Sequence, residues 1–123
     1  MRYGGLTYIE IKEKTKNGAI AILPTGCTEQ QGYHLPVNFD TWLVEELTEA
    51  ASLRAKELFN VETLVLPAMP FGPTTEHKNY GHGYVDIPLE LHQRLIWYAA
   101  KSLQEQGFEN IVIWLGCGGH KIG

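Results

Sequence analysis

The sequence has little of several features that would assign it at once to a class of proteins. Only two cysteines occur among 123 residues, too few for a disulfide-stapled secreted domain. No apolar run approaches the roughly 18 residues of a membrane span, and the N-terminal residues lack the apolar core of a signal peptide. We therefore expect a reduced, cytoplasmic protein that does not enter a membrane.

Basic charge is also scarce. Ten Lys and Arg against fourteen Asp and Glu give a net charge of -4, and no basic block is present. Proteins that bind a phosphate backbone or an anionic membrane surface need such a block. We therefore expect neither nucleic acid nor a membrane as a partner. The glycine spacings of nucleotide-binding loops are absent as well.

What is present is a globular composition, 44% hydrophobic and 20% charged, on a length that fits one domain spanning residues 1–123. Short apolar runs at 19–23, 63–66 and 111–115 predict buried strands. Amphipathic spacing predicts helices over 6–16, over 40–58 with Asp40 or Thr41 as its cap, and from Pro88 to Gly107. This alternation predicts an α/β protein with a parallel sheet covered by helices on both faces.

Three polar loops follow the three predicted strands, at the sheet edge where parallel sheets bind their ligands. These loops carry carboxylate, imidazole and thiol side chains, which Zn²⁺ and Mn²⁺ accept as ligands. The candidate residues are Glu29, His34, Asp40, Glu76, His77, Cys117 and His120. The backbone N–H groups of Gly118 and Gly119 could in addition hold an oxyanion.

Structural interpretations of the same residues stay open at this point. Asp40 would serve only as a helix cap, Glu29 as a solvated loop charge and Cys117 as a small buried apolar residue. Cys117 with His120 or His77 would alternatively suit nucleophilic catalysis.

Three segments resemble the creatininase (creatinine amidohydrolase) family. Residues 23–36 are similar to its opening signature, Leu-Pro-x-Gly-x-x-Glu-Gln-His-Gly-x-His-Leu-Pro, which is followed by an Asp that matches Asp40. The segment from Pro70 through Glu76, His77 and Gly83 is similar to a second family motif. Residues 116–120 resemble the Asn-Gly-His-Gly-Gly-Asn loop of the family, and the three matches follow the family's order.

The resemblance implies a three-layer α/β/α sandwich and a hydrolase that acts on the C–N bond of a small cyclic amide or formamide with one or two Zn²⁺ or Mn²⁺ ions. Glu29 and Asp40 match the ligand and the bridging ligand of the family. His34, Cys117 and His120 would complete the metal site, and Glu76 or His77 would carry the proton. Family members are typically hexamers, so the resemblance also implies a homo-oligomer.

Two departures from the family pattern change this expectation. Gln31 replaces a ligand histidine, and an amide is a far poorer zinc ligand than imidazole. Cys117 replaces the histidine of the third motif, and cysteine is a good ligand for Zn²⁺. We therefore expect one metal ion rather than two. Family members are about twice as long, so we also expect an N-terminal half, by truncation or by natural shortening.

Three functions are compatible with these residues. The first is an active metal-dependent amidohydrolase. The second is a non-catalytic binding or assembly module that has kept the fold and lost metal ligands, for which Gln31 is the evidence. The third is an unrelated cysteine-dependent enzyme.

Overall fold

The chain alternates helices and strands, as its hydrophobic pattern predicts. A computed structural model describes residues 1–117. Its helices are α1 (Tyr8–Lys16), α2 (Phe39–Phe59) and α3 (Leu89–Glu105), with two short 3₁₀ segments, Tyr3–Gly5 and Thr75–Tyr80. Its strands are β1 (Ile20–Thr25), β2 (Thr63–Val65) and β3 (Ile111–Leu115).

The three strands form one parallel sheet in the order β2-β1-β3, so the first strand in sequence is the central one. Residues 21–25 of β1 are all buried. In chain order, β2 pairs with one side of β1, and β3 later pairs with the other side of β1. Where the order of strands reverses in this way, a crevice opens at their carboxyl ends, and open α/β sheets bind ligands there.

Helices cover both faces of the sheet. The hydroxyl of Thr63 on β2 donates a hydrogen bond to Ser52 on α2, whereas the adjacent Leu64 packs in a core cluster with Leu103 of α3. Successive side chains of a strand point to opposite faces. Helices α2 and α3 therefore lie on opposite faces, and Ile11 of α1 packs on the α3 side. The expected α/β fold with a parallel sheet is confirmed.

The helix boundaries differ in part from those expected. Thr7 and Glu10 form a capping box at the start of α1, and Gly107 follows α3 at φ +105°, a conformation that glycine adopts readily. The prediction that Asp40 or Thr41 caps α2 is wrong, because Asn38 occupies the N-cap and Asp40 lies in the first turn. Pro88 is likewise the N-cap of α3 rather than its first residue.

Strand β1 extends past the proline that was expected to end it. Pro24 has no N–H group, but its carbonyl accepts a hydrogen bond from the Met69 N–H (3.1 Å), so the backbone pairing continues to Thr25. Strand β2 ends one residue early, at Val65. Strand β3, expected to be buried, is only partly so, whereas β2 at the other edge of the sheet is fully buried.

Part of the apolar surface is exposed around α3 and β3. The large apolar side chains exposed there include Leu91, Leu95, Trp97, Tyr98 and Val112. The expected self-association, which would cover such a surface, stays a prediction. Among the described residues, no helix combines the length and the apolar character that crossing a bilayer requires.

Candidate metal centre

The pairing of β1 with β3 brings two cysteines together. Thr25 and Leu115, the last residues of the two strands, are partners in register, and Gly116 N–H continues the pairing by donating to the Thr25 carbonyl (2.8 Å). Cys27 and Cys117 each lie two residues beyond their strand. Equivalent positions on parallel neighbours point to the same side of a sheet. The two Sγ atoms accordingly lie within 4.8 Å of each other.

Two glycines allow the elements around these cysteines to approach closely. A Cβ on Gly26 would lie 2.4 Å from Thr41 Oγ1 and 2.6 Å from Thr41 Cα, in the first turn of α2. A Cβ on Gly116 would lie 2.4 Å from the Thr25 carbonyl oxygen. No Cβ fits at such distances. Because Gly26 has none, the start of α2, with Asp40, can lie against the end of β1.

Four potential metal ligands from three segments of the chain meet at this point. Cys27 Sγ lies 3.2 Å from Glu29 Oε1 and 3.1 Å from Asp40 Oδ2, and Cys117 Sγ lies 3.4 Å from Glu29 Oε1. All four ligand atoms fall within 4.8 Å of one another. Cys27 and Glu29 are buried, whereas Asp40 and Cys117 are half-buried. We call Cys27, Glu29, Asp40 and Cys117 the donor cluster.

The environment of Cys27 keeps its thiol protonated. The contact with Cys117, burial, and hydrogen bonds to the carboxylates of Asp40 and Glu29 together raise the pKa of Cys27 well above the usual range of a thiol. A cysteine that attacks a substrate as a preformed thiolate needs the opposite environment, one that stabilises the thiolate. Only a positive charge among these groups, such as a metal ion, would reverse the balance.

The second oxygen of Glu29 lacks a hydrogen bond. Glu29 Oε2 is buried and lies 3.1 Å from His77 Nε2, but the two groups are not aligned for a hydrogen bond, and no other described residue supplies one. A buried carboxylate oxygen left without a partner is costly. The other oxygen, Oε1, lies beside the two thiols, and the carboxylate as a whole has no positively charged Lys or Arg partner among these contacts, so the residues present suit a metal ion.

His77 is oriented toward Glu29 by Gln30. Gln30 Oε1 accepts a hydrogen bond from Gly32 N–H (2.9 Å), so its amide nitrogen faces His77 Nδ1 at 2.9 Å and donates to it. The donor-acceptor pattern thus assigns the proton of the neutral ring to Nε2, on the side of Glu29. Glu76, which is exposed, places Oε1 3.8 Å from the same nitrogen. Glu29, Glu76 and His77 therefore form a second group of potential ligands.

The structure brings together most of the site residues expected from the sequence. Those that meet are Glu29, Asp40, Glu76, His77 and Cys117. His34 is exposed and belongs to neither group of potential ligands in the described part of the chain. Gly118, Gly119 and His120 lie outside the described residues.

Sequence reasoning missed two members of the site. Cys27 was not considered as a ligand, and its signal was its position two residues beyond a strand, matching that of Cys117. Gln31, noted only as a departure from the family pattern, donates from Nε2 to Asp40 Oδ2 (2.9 Å). The amide therefore contacts the donor cluster at the carboxylate that the resemblance makes a bridging ligand.

Comparison with known proteins agrees with the arrangement of these loops. The family model for creatininase, described as creatinine amidohydrolase, matches residues 5–122. The chain belongs to the creatininase family. A creatininase crystal structure superposes with a TM-score of 0.75 and 26% identity, over 93% of this chain and 44% of that one. The creatininase-like chain thus spans less than half the length of that solved relative.

The chain is also similar to two further proteins. The crystal structure of a putative creatinine amidohydrolase from Bacteroides fragilis superposes with a TM-score of 0.77 and 28% identity, over 83% of this chain and 40% of that one. A mycofactocin precursor peptide peptidase from Mycobacterium tuberculosis is 36% identical over 73 residues, 56% of this chain and 29% of the relative. Creatininase structures with the same fold include a manganese form and a Zn–Zn form.

Proposed function

We propose that the donor cluster binds one divalent cation and that the chain acts as a metal-dependent amidohydrolase on the C–N bond of a small cyclic amide or formamide. The observation that carries this proposal is Glu29, a buried carboxylate whose Oε2 lacks a hydrogen bond among the described residues. Its neighbours are acids, thiols and the imidazole of His77 rather than lysine or arginine. A buried charge without such a partner needs a cation.

The donor atoms favour zinc over manganese. Two of the four ligands are sulfur, which Zn²⁺ binds well, whereas Mn²⁺ prefers carboxylate, carbonyl and water oxygen. The manganese and Zn–Zn forms of creatininase support a divalent ion in general. The sulfur pair of this chain is the reason that we propose zinc.

A cation held by the donor cluster would supply Lewis acidity toward an amide carbonyl and toward a water molecule. The residues of the chain contribute the rest. Glu29 and Asp40 would hold the cation, and the N–H of His77 Nε2 stands 3.1 Å from Glu29 Oε2, where it can donate a hydrogen bond to the departing nitrogen. Glu76 is exposed and its Oε1 lies 3.8 Å from the same ring nitrogen, so its carboxyl group can carry the proton that the departing nitrogen takes up. Oxyanion binding by Gly118 and Gly119, and further ligation by His34 or His120, stay predictions.

The substrate class is proposed from the proteins to which this chain is similar. The proteins similar to this chain include creatinine amidohydrolases and a peptidase, so we propose a small amide as the substrate class.

We also propose that copies of the chain associate through the exposed apolar surface of α3 and β3, in a reducing compartment that keeps both thiols reduced. Molecular mass in solution tests the association, and a clean monomer would contradict it.

Metal analysis of protein purified without chelators tests the proposed function directly. We expect close to one zinc per chain and an increase in Tm when Zn²⁺ is added back to chelator-treated protein, because a bound ion stabilises only the folded state. Hydrolysis of creatinine, other lactams and formamides would then be measured as product amine or formate, with and without zinc. Less than about 0.1 metal per chain, with no Tm shift, would overturn the proposal.

One observation favours a second candidate function, a non-catalytic relative that has kept the fold. Gln31 donates to Asp40 Oδ2 at the place where the family resemblance expects a histidine ligand, so an amide satisfies an oxygen that an ion would otherwise share. A chain that neither binds zinc nor hydrolyses any of these amides, and that gains zinc on Gln31→His, would establish this alternative. A wild-type chain that hydrolyses an amide would exclude it.

A further inference from the structure

We infer that Cys27 and Cys117 form a redox-sensitive pair, which a hydroperoxide converts to an intramolecular disulfide. The disulfide would withdraw both sulfur ligands from the donor cluster. The oxidation itself needs only the two thiols. Its consequence for cation binding rests on the proposed function.

The sheet provides the geometry for this bond. Cys27 and Cys117 occupy equivalent positions beyond paired residues of neighbouring parallel strands, and such strands lie about 4.8 Å apart. That spacing falls within the Cα separation of about 4.4–6.8 Å that a disulfide tolerates. The two Sγ atoms already lie within 4.8 Å, so side-chain rotation, rather than movement of the strands, can bring them to bonding distance.

The unequal exposure of the two cysteines sets the order of events. Cys117 is half-buried and can be reached from solvent, whereas Cys27 is fully buried. The Cys117 sulfur attacks one peroxide oxygen, which breaks the O–O bond, forms a sulfenic acid and releases water or an alcohol. The buried Cys27 is then positioned to resolve that sulfenic acid before a second peroxide molecule arrives.

The donor cluster also supplies a proton acceptor for the second step. The Cys27 sulfur attacks the sulfenic sulfur of Cys117, the S–O bond breaks and water leaves. The thiol proton of Cys27 passes to the carboxylate of Asp40 or Glu29, which lie 3.1 and 3.2 Å from its sulfur, and from there to the departing oxygen. In sum, two thiols lose two electrons to one hydrogen peroxide and yield one disulfide and two waters.

Intact-mass analysis tests the pair cleanly because the chain contains only these two cysteines. Reduced, chelator-treated protein is exposed to one equivalent of hydrogen peroxide, then denatured and alkylated. We expect a monomeric species that takes up no alkylating agent, is lighter than the reduced chain by about 2 Da, and yields a linked Cys27–Cys117 peptide. Sulfinic acid at Cys117 with an alkylated Cys27, or a disulfide between chains, would overturn the inference.

Matched variants separate the roles of the two cysteines. Cys27→Ser is expected to accumulate sulfenic acid at Cys117, detectable with dimedone, because the resolving thiol is gone. Cys117→Ser is expected to react more slowly than wild type, because its remaining thiol is buried. Equal reaction rates in both variants would contradict the assigned order.

Added zinc separates this inference from the proposed function. At a Zn²⁺ concentration about 100 times Kd, only about 1% of the chain is without metal, so oxidation should slow by about 100-fold. Disulfide formation that zinc does not slow would leave the redox pair established and contradict the cation site. Zinc binding without disulfide formation in the metal-free protein would do the reverse.

Discussion

Two carboxylates of low exposure, Glu29 and Glu62, lie at opposite ends of the strands of the sheet. Their surroundings are opposite in character. Glu62 precedes β2 and is paired with Lys14 Nζ (2.8 Å) and Lys56 Nζ (3.1 Å). The hydrogen bond from Lys14, assisted by Lys56, lowers the pKa of Glu62. Glu29 follows β1, is more deeply buried and faces thiols, Asp40 and His77. The chain thus pairs Glu62 with two of its own lysines, whereas Glu29 has no such pair among the described residues, which is why we propose a cation there.

The comparison also shows why shape alone does not locate the site. A cavity of about 600 Å³ lies at the amino ends of the strands and is lined by residues that include Lys14, Lys56 and Glu62. Its charges are already paired within the chain. Within residues 1–117, a buried carboxylate oxygen that accepts no hydrogen bond, Glu29 Oε2, marks the carboxyl ends of the strands, where concavity does not.

The largest expected effect is on cation affinity. Glu29→Gln should weaken Zn²⁺ binding by at least about 100-fold, because it removes a charged ligand from a buried site. Glu62→Gln, its matched control at the other edge, should leave the affinity unchanged. Competition with a chromophoric chelator measures both. Equal affinities of the two variants would break the distinction between the two carboxylates.

The next largest effect is on stability and concerns Gly26, which allows α2 to lie close to the carboxyl end of β1. Gly26→Ala should reduce the free energy of unfolding by about 2–3 kcal/mol, because its Cβ would collide with the backbone of Thr41. Gly5→Ala is the control, since a Cβ there meets no atom within 4 Å. Urea denaturation of both variants gives the values, and similar losses in the two would contradict the proposed close packing.

A third substitution adds a potential metal ligand beside the donor cluster. Gln31→His should raise Zn²⁺ affinity by about tenfold, because an imidazole replaces an amide that contacts Asp40 Oδ2. Gln30→His is a useful comparison, since Gln30 contacts His77 rather than the donor cluster. The same competition titration applies. A gain in the Gln30 variant alone would place the ion beside His77 instead.

The smallest expected effect is the pH dependence that Glu62 confers. Its pKa is lowered in the folded state, so its stabilisation is present above the unfolded value near 4.3 and is lost as pH falls through the folded value. The contribution should be about 1 kcal/mol, since the pair is partly exposed. Unfolding free energies at neutral and acidic pH should therefore differ more in wild type than in Glu62→Gln. An equal difference would show that the lysine pairs contribute nothing.

The fold was largely predictable because its signals are local. Unbroken apolar runs and a capping box at Thr7 and Glu10 give the elements, and both depend on neighbouring residues alone. Pro24 misled the prediction, because a proline carbonyl can still accept from Met69 and the strand continues past it. Asp40 was also misjudged, since Asn38 takes the cap position that either residue could fill.

The site was predictable only where one loop or a family motif identified it. Glu29, Asp40 and Cys117 follow from their positions at strand ends and from the resemblance. The part played by Cys27 depends on β1 and β3 being neighbours in register, which follows from the strand order and not from the local sequence. The proton assignment of His77 likewise depends on Gln30 and Gly32, whose side-chain and backbone orientations exist only in the folded chain.

The central position of β1 has a consequence for how the protein folds. Strand β1 must wait for partners that come later in the chain, and the contact of Glu29 with Cys117 spans 88 residues. Contacts of such long range form late, because closing a long loop costs entropy before any contact repays it. The donor cluster is therefore completed only when β3 docks. If the donor cluster binds a cation as proposed, a growing chain on the ribosome can hold it with all four ligands only after Cys117 has emerged.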